Sequence, residues 1–191
     1  GVPPAPWSQA GGACASPRPA HPGPGVGGGA YLERKIVVKV NAPELLKREL
    51  SRKSWGGDEI VFSGNTDCYQ PLEASYRLTR RCLEVCRDFR NPVSIITKGI
   101  LIRRDLDVLV ELSRVARLHV HVSIPFLDPE VSRALEPGPA APVRRLETVK
   151  ALTDAGIEVG GSLAPLIPGP NDRAIPEISA RATRPGGRAA V

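Results

Sequence analysis

Short apolar runs alternate along the chain with longer segments in which apolar residues recur at every third or fourth position. The runs are rich in β-branched residues, which favours strands; they cover residues 35–40, 59–63, 93–97, 118–124 and 157–164. The longer segments have the period of amphipathic helices; they cover residues 41–51, 75–90, 104–117, 128–136 and 143–155. Strands that alternate with helices over short connections predict parallel pairing through right-handed crossovers. The pattern therefore predicts an α/β fold, either a doubly wound sheet or a TIM-like barrel.

Residues that start and stop helices support these boundaries. Asn41 is expected to cap the first helix, with Glu44 at the position of a capping box. Asp128, which stands before a proline, is expected to cap the fourth helix. Gly156 is expected to end the last helix.

Polar residues, together with glycines and prolines, gather where four of the predicted strands end. They are Gly64, Asn65, Thr66 and Asp67 at the second strand, Thr97 and Lys98 at the third, Ser123 at the fourth, and residues 165–172 at the fifth. The carboxyl ends of parallel strands meet at one edge of the sheet, and binding groups gather there. These residues are therefore predicted to line one site.

The composition fits one soluble domain or a fragment of a larger one. Of 191 residues, 41% are hydrophobic and 24% are charged, which is enough to build a core. No apolar run approaches the ~20 residues that span a bilayer, and the first residues lack the pattern of a signal peptide. We therefore expect no membrane association and a cytoplasmic location.

Three segments differ in composition. Residues 1–30 contain eight glycines and seven prolines, and are predicted to be disordered because they offer little apolar surface to bury. Residues 31–172 carry the alternating pattern and are predicted to form the barrel domain. Residues 173–191 form a basic tail that continues no pattern. Most of the net charge of +6 lies in the two ends, so charge alone establishes no phosphate-binding patch.

The cysteines are Cys14, Cys68, Cys82 and Cys86, and the last two have a C-x3-C spacing. That spacing can begin an iron–sulfur motif, but the position three residues further on is Phe89. Cys82 lies in the apolar stripe of the predicted helix, with Cys86 beside it, and buried cysteine behaves as a small hydrophobe. We therefore interpret this pair as helix core.

Two histidines share one face of the fourth predicted strand. His119 and His121 lie on the same side as Ser123, because side chains alternate along a strand. Two histidines can bind a metal, but a zinc site needs three or four ligands, and no third ligand is near in sequence. The two are predicted to be structural.

Seven segments, in this order, resemble a group of radical SAM proteins related to spore photoproduct lyase and often labelled "DNA repair photolyase". They read KIVVKVNAPELLKREL, GNTDCYQPLE, LTRRCLEV, PVSIITK, RDLDVLVEL, VHVSI and IPGPND, and extend over about residues 31–172. The resemblance implies a partial (β/α) barrel, truncated here to about five parallel strands. It also implies a [4Fe–4S] cluster and S-adenosylmethionine, whose reductive cleavage would generate a 5′-deoxyadenosyl radical acting, lyase-like, on DNA photolesions.

The resemblance further implies a set of cofactor-binding residues at the strand ends. The set is Asn65, Thr66, Asp67, Thr97, Lys98, Ser123, Ile167 and Gly169. The first three would contact the methionine part of the cofactor, and Lys98 its carboxylate or a substrate anion. Ser123 would contact the ribose, and Gly169 would leave room for the adenine. The alternatives are a polar turn, a solvated lysine and an ordinary Pro-Gly turn.

The chain departs from the family at the cluster. Three cysteines in a C-x3-C-x2-C loop normally hold it, and no such motif occurs in the sequence. Cys14 is a weak candidate, in a segment that weakly resembles the residues after that loop. One hypothesis is a radical SAM enzyme, impaired in this chain. The alternative is a catalytically inactive remnant, truncated or frameshifted, that at most binds a nucleoside or a partner.

Further partners are expected from the surface. The arginine-rich helix between Arg77 and Arg90 provides a third hypothesis, DNA binding, although exposed helix faces are normally charged. An open sheet of five strands leaves an uncovered edge strand, which predicts aggregation or a partner there.

Overall fold

The computed structural model describes residues 15–16, 37–63, 66–164, 167, 171 and 176. Within these residues there are six strands: β1 (Ala15–Ser16), β2 (Val37–Val38), β3 (Ile60–Phe62), β4 (Val93–Thr97), β5 (Leu118–Ser123) and β6 (Glu158–Ser162). The α-helices are α1 (Ala42–Leu50), α2 (Glu73–Tyr76), α3 (Leu78–Asp88), α4 (Leu106–Val115), α5 (Pro129–Leu135) and α6 (Pro142–Asp154). A 3-10 helix, Ile100–Asp105, leads into α4. None of the helices in these ranges is long and apolar enough to cross a membrane.

The predicted α/β fold is confirmed as a parallel sheet in the order β3-β4-β5-β6. Each strand pairs with the next one along the chain, and its register aligns Phe62 with Ile95 and Ser123 with Ser162. A doubly wound sheet reverses its strand order at a switch point. This order does not reverse, so it matches a partial (β/α) barrel that the described strands do not close.

The first predicted strand, residues 35–40, does not join this sheet. Within it, Val37–Val38 pairs antiparallel with Ala15–Ser16, so the parallel sheet of the described residues has four strands instead of five. A β-branched run indicates a strand but does not select its partner, which is why the sequence pattern misplaced it. Most of residues 1–30 and all of 177–191 lie outside the described part of the chain.

One helix and one predicted cap differ from the prediction. The helix expected over residues 75–90 is two helices, because Arg77 adopts a left-handed conformation with φ 50° between α2 and α3. The side chain of Asn41 makes no capping hydrogen bond. The cap at Asp128 is confirmed, since its carboxylate accepts the backbone N–H of Glu130 and Val131.

The core lies on one face of the sheet, between the strands and the helices. Along β4, Val93 and Ile95 are fully buried, whereas Ile96 on the opposite face is 41% exposed. Along β5, the valines are buried and the histidines between them are partly exposed. The helices α1, α3, α4 and α6 supply much of the remaining core, including Leu46, Leu83, Leu109 and Leu152. The sheet therefore has one packed face and one face that carries polar groups.

Candidate functional site

The predicted site residues that the structure describes lie at the carboxyl edge of the sheet or in the segments after it. They are Thr66, Asp67, Thr97, Lys98, Ser123 and Ile167. Asn65 and Gly169 lie outside the described residues. Since β3, β4 and β5 are neighbours in the sheet, their ends bring the first five of these residues to one edge.

Asp67 links the ends of two strands. Its Oδ1 accepts the hydroxyl of Thr97 at 2.6 Å and the backbone N–H of Tyr69 at 2.8 Å. Its Oδ2 accepts the backbone N–H of Lys98 at 2.6 Å. Charge-assisted hydrogen bonds of this length are strong. Asp67 therefore holds the loop after β3 against the end of β4, and Oδ2 retains capacity for a second donor.

Gly99 allows these two loops to approach closely. A Cβ atom at this position would lie 2.7 Å from both the Cβ and the carbonyl oxygen of Tyr69. Its N–H also donates to the hydroxyl of Thr97 at 2.8 Å. The Thr97 hydroxyl is thus donor to Asp67 and acceptor from Gly99, which makes it part of the link between the loops.

A cleft of about 700 Å³ opens beside this link. Its walls come from the loop after β3, the segment after β4 and the turn before α6. They include Asp67, Gln70, Lys98 and Pro139. The volume falls within the range of small-molecule sites, and mostly apolar walls with a few polar groups are typical of them.

The ammonium of Lys98, which lines this cleft, forms an ion pair. Its Nζ lies 2.5 Å from the Oε1 of Glu136, which follows α5. Glu136 is in turn 2.9 Å from the Nη1 of Arg145 on α6, a guanidinium that is 1% exposed. The sequence prediction did not include Glu136 or Arg145, because a single charged residue in or after a helix follows no pattern that indicates its partner.

Ser123 and Ile167 lie on the other side of the edge. Ser123 is buried, and its hydroxyl is 3.5 Å from the carbonyl oxygen of Ala164. The N–H of Ile167 donates to the Oδ1 of Asn171 at 2.7 Å, and the amide of Asn171 donates to the carbonyl of Pro125 at 2.8 Å. Asn171 is thus a structural anchor between two segments.

Buried charges below the loop after β3 were not predicted. Glu73 is buried and accepts the backbone N–H of Thr79 at 3.0 Å, which caps α3. It also pairs with Arg104 at 3.0 Å, and Arg104 binds the fully buried Asp105 at 2.8 Å. Burial raises the pKa of Tyr69, which packs here, well above its usual value, and the charges of Asp105 and Glu73 add to this. Single buried charges follow no period, so sequence patterns do not reveal such clusters.

The described cysteines do not fit an iron–sulfur cluster. Cys68, Cys82 and Cys86 are all buried, which confirms the interpretation of the last two as helix core. Burial raises the pKa of the Cys86 thiol to about 12, whereas a cluster ligand must be a thiolate. Among the described residues, no three histidine, cysteine or acidic side chains are arranged to hold a metal ion. Cys14 lies outside them.

The two histidines of β5 lie on the polar face of the sheet. His119 Nε2 is 3.1 Å from the Oε2 of Glu158 on the neighbouring strand β6. Burial lowers the pKa of His121, and its electrostatic interaction with His119 lowers it further, whereas Glu158 and Glu59 oppose the shift.

The arginines of α3 are largely paired. Arg80 binds Asp107 at 2.6 Å, and Arg87 binds Glu111 at 2.7 Å. Arg81 pairs with Glu44 of α1. Guanidinium groups that are already matched to carboxylates are poorly placed to bind phosphates, so the geometry does not favour the hypothesis of DNA binding through this helix.

Three kinds of comparison relate the chain to known proteins. A family model, described as the radical SAM superfamily, matches residues 18–182. A protein of Mycobacterium bovis called uncharacterized is 34% identical over 151 residues, which are 79% of this chain and 44% of that protein. Another so described, from Methanocaldococcus jannaschii, is 30% identical over 133 residues, which are 70% of this chain and 48% of its own length. The chain therefore spans about half the length of these relatives.

Solved structures show the same fold. One mutant of spore photoproduct lyase superposes with a TM-score of 0.53 at 15% identity, covering 76% of this chain and 43% of that one. A second mutant gives a TM-score of 0.50 at 18% identity, covering 68% and 37%. At these identities the likeness concerns the fold alone.

Proposed function

Because the chain belongs to the radical SAM superfamily, we propose that it binds S-adenosylmethionine at the carboxyl edge of its sheet. The observation that carries this proposal is the link made by Asp67, which holds the ends of β3 and β4 together beside a cleft. A site whose walls are fixed before binding loses less entropy when the ligand arrives.

The proposed contacts follow the chemistry of the ligand. Its amino group needs an anionic acceptor, and the Oδ2 of Asp67 has capacity for one more donor. Its carboxylate needs a cation, which Lys98 supplies, with Thr66 and Asn65 as neutral polar contacts. Ser123 is proposed for the ribose, and Ile167 and Gly169 for the adenine. These assignments rest on the family resemblance and on the position of the described members at one edge.

Radical formation from S-adenosylmethionine and lyase-like chemistry are proposed only for a longer protein that contains this chain, or for an assembly of it with a partner. A [4Fe–4S] cluster, as the family implies, would supply one electron for the reductive cleavage of S-adenosylmethionine into methionine and the 5′-deoxyadenosyl radical. The described residues do not fit that cluster, so we derive no step of radical formation from them. Lyase-like action on a DNA photolesion is proposed from the family resemblance. It is proposed for the longer protein, because the chain covers less than half of the spore photoproduct lyase mutants with which it shares a fold.

The buried cysteines favour a second candidate function, which is nucleoside binding without radical chemistry in this chain. Iron and sulfide measured after anaerobic reconstitution distinguish the two candidates. Retention of about four irons per chain after desalting would support the enzyme. Loss of iron from a chain that still binds S-adenosylmethionine would support the second candidate.

Equilibrium dialysis with labelled S-adenosylmethionine tests the binding proposal directly. We expect saturable binding of one molecule per chain, competed by S-adenosylhomocysteine, and at least about tenfold weaker binding by Asp67→Asn, which loses the negative charge. Asp154→Asn, on the exposed end of α6, is the matched control and should bind as the parent chain does. Absence of saturable binding to the folded parent chain would overturn the proposal.

A further inference from the structure

The position of the Lys98 ammonium is set by a residue outside the cleft. Lys98 follows the last residue of β4, and its side chain extends to Glu136, with 2.5 Å between Nζ and Oε1. The side chain of Glu136 is 9% exposed, whereas the side chain of Lys98 is one-third exposed and lines the cleft. The contact with Glu136 is an ion pair, and an ammonium group with three N–H donors can also serve an acceptor in the cleft.

Glu136 is itself held by a buried arginine. The Nη1 of Arg145 lies 2.9 Å from the Oε2 of Glu136 and donates at 3.1 Å to the carbonyl oxygen of Ser123, the last residue of β5. The Nε of Arg145 donates at 2.7 Å to the carbonyl oxygen of Ala140. Burying a guanidinium is costly unless its partners compensate for lost water. The Nη2 of Arg145 is buried without a hydrogen-bond partner among the described residues, so the contacts of Nη1 and Nε, including the one with Glu136, provide that compensation.

These contacts connect three parts of the proposed site. Ala140 is in the cleft wall, and the turn that contains it begins just after Glu136. Through Arg145 this wall is tied to the end of β5, and through Glu136 to the end of β4. The Lys98 ammonium and the cleft wall at Ala140 are therefore positioned by the same two side chains, Glu136 and Arg145.

We propose that Glu136 and Arg145 are positioning residues that fix the Lys98 ammonium in the cleft, where it receives the carboxylate or another anionic group of the ligand. The inference rests on the proposed function for the identity of the ligand, but the arrangement of the three side chains is testable without it. Glu136 acts on the ligand through Lys98, and Arg145 acts through Glu136.

Lysine acylation followed by mass spectrometry tests the arrangement without a ligand. An ammonium held by a carboxylate must leave it before its nitrogen can react. We expect Lys98 to react several-fold faster in Glu136→Gln than in the parent chain, and in Arg145→Lys, which cannot reproduce the guanidinium contacts. Lys150, paired with Asp154 on the surface of α6, serves as the internal reference and should keep its rate. An unchanged Lys98 rate in both variants would overturn the proposal.

A double-mutant cycle tests the effect on the ligand. Lys98→Met should weaken binding of S-adenosylmethionine about tenfold, and Glu136→Gln about three- to tenfold. If Glu136 acts through Lys98, the second substitution has no further effect once Lys98 is methionine. A general structural role would weaken binding equally in both backgrounds and would contradict the proposal. Glu147→Gln, on the exposed face of α6, is the matched control.

The two tests separate the two proposals. If the parent chain does not bind S-adenosylmethionine but Lys98 is protected as expected, the proposed function fails and the positioning of Lys98 stands. If the chain binds but the effects are additive, the proposed function stands and the positioning role fails. Circular dichroism of each variant verifies the fold, and Glu136→Gln keeps the test valid if Arg145→Lys does not fold.

Discussion

At the scale of single residues, Asp67 makes the clearest prediction for stability. Asp67→Ala removes the acceptor for two backbone N–H groups and one hydroxyl. We expect it to lower the free energy of unfolding by about 2–4 kcal/mol, because the donors lose charge-assisted hydrogen bonds. Urea denaturation measures the change. Asp154→Ala, at an exposed position, should change it by less than about 0.5 kcal/mol; equal effects of the two would contradict the role given to Asp67.

Gly99 makes a second prediction at this scale, about steric fit. In Gly99→Ala the new Cβ would lie 2.7 Å from the backbone carbonyl of Tyr69, so one loop must move. We expect a loss of about 1–3 kcal/mol of stability, as for other overpacked positions. Gly56→Ala is the control, since the nearest atom to a Cβ there is 3.9 Å away. A Gly99→Ala variant as stable as the control in urea would show that the loops are not in close contact.

At the scale of elements, Glu73 joins α2, α3 and the 3-10 helix. It caps α3 through Thr79 and pairs with Arg104. Glu73→Ala removes the carboxylate that accepts the Thr79 N–H and that pairs with Arg104. The pair of Arg104 with Asp105 remains, and we expect a loss of about 2–3 kcal/mol. Glu84→Ala removes a partly exposed pair with Arg80 and should cost at most about 1 kcal/mol. Thermal unfolding measures the stability of both variants. Similar losses of stability would mean that Glu73 contributes no more than an exposed ion pair.

The same scale shows what the sequence pattern predicts and what it misses. Period and β-branching located β3 to β6 within one or two residues, because each of these strands has a buried face of its own. The break at Arg77 was not predicted, since it depends on the cap that Glu73 provides from outside the helix. Likewise, the pattern marked the strand ends that carry Asp67 and Lys98, but not Glu136 and Arg145. Their roles arise from side-chain contacts with the ends of β4 and β5, which are distant from them along the chain.

At the scale of the whole molecule, the two faces of the sheet differ: one packs against the core, and the other carries titratable side chains. The helices cover one face, and the other carries the histidines of β5 with Glu158 and the exposed Ile96. In a complete barrel this second face points inward, where side chains are normally packed or face a ligand. A proton gained by a partly buried side chain on this face therefore changes the free energy of unfolding.

His121 allows this to be tested through the pH dependence of stability. Its pKa is lowered in the folded chain, chiefly by burial and then by His119, against opposing effects of Glu158 and Glu59, whereas in the unfolded chain it is about 6.5. Below that pH the unfolded state binds more protons, so the contribution of the neutral imidazole is lost as pH falls from about 6.5 through the folded pKa. Urea denaturation between pH 7.5 and 5 should therefore show a shallower fall for His121→Asn than for the parent chain. Parallel curves would mean that His121 titrates as it does in the unfolded chain, and that this face leaves its imidazole in contact with water.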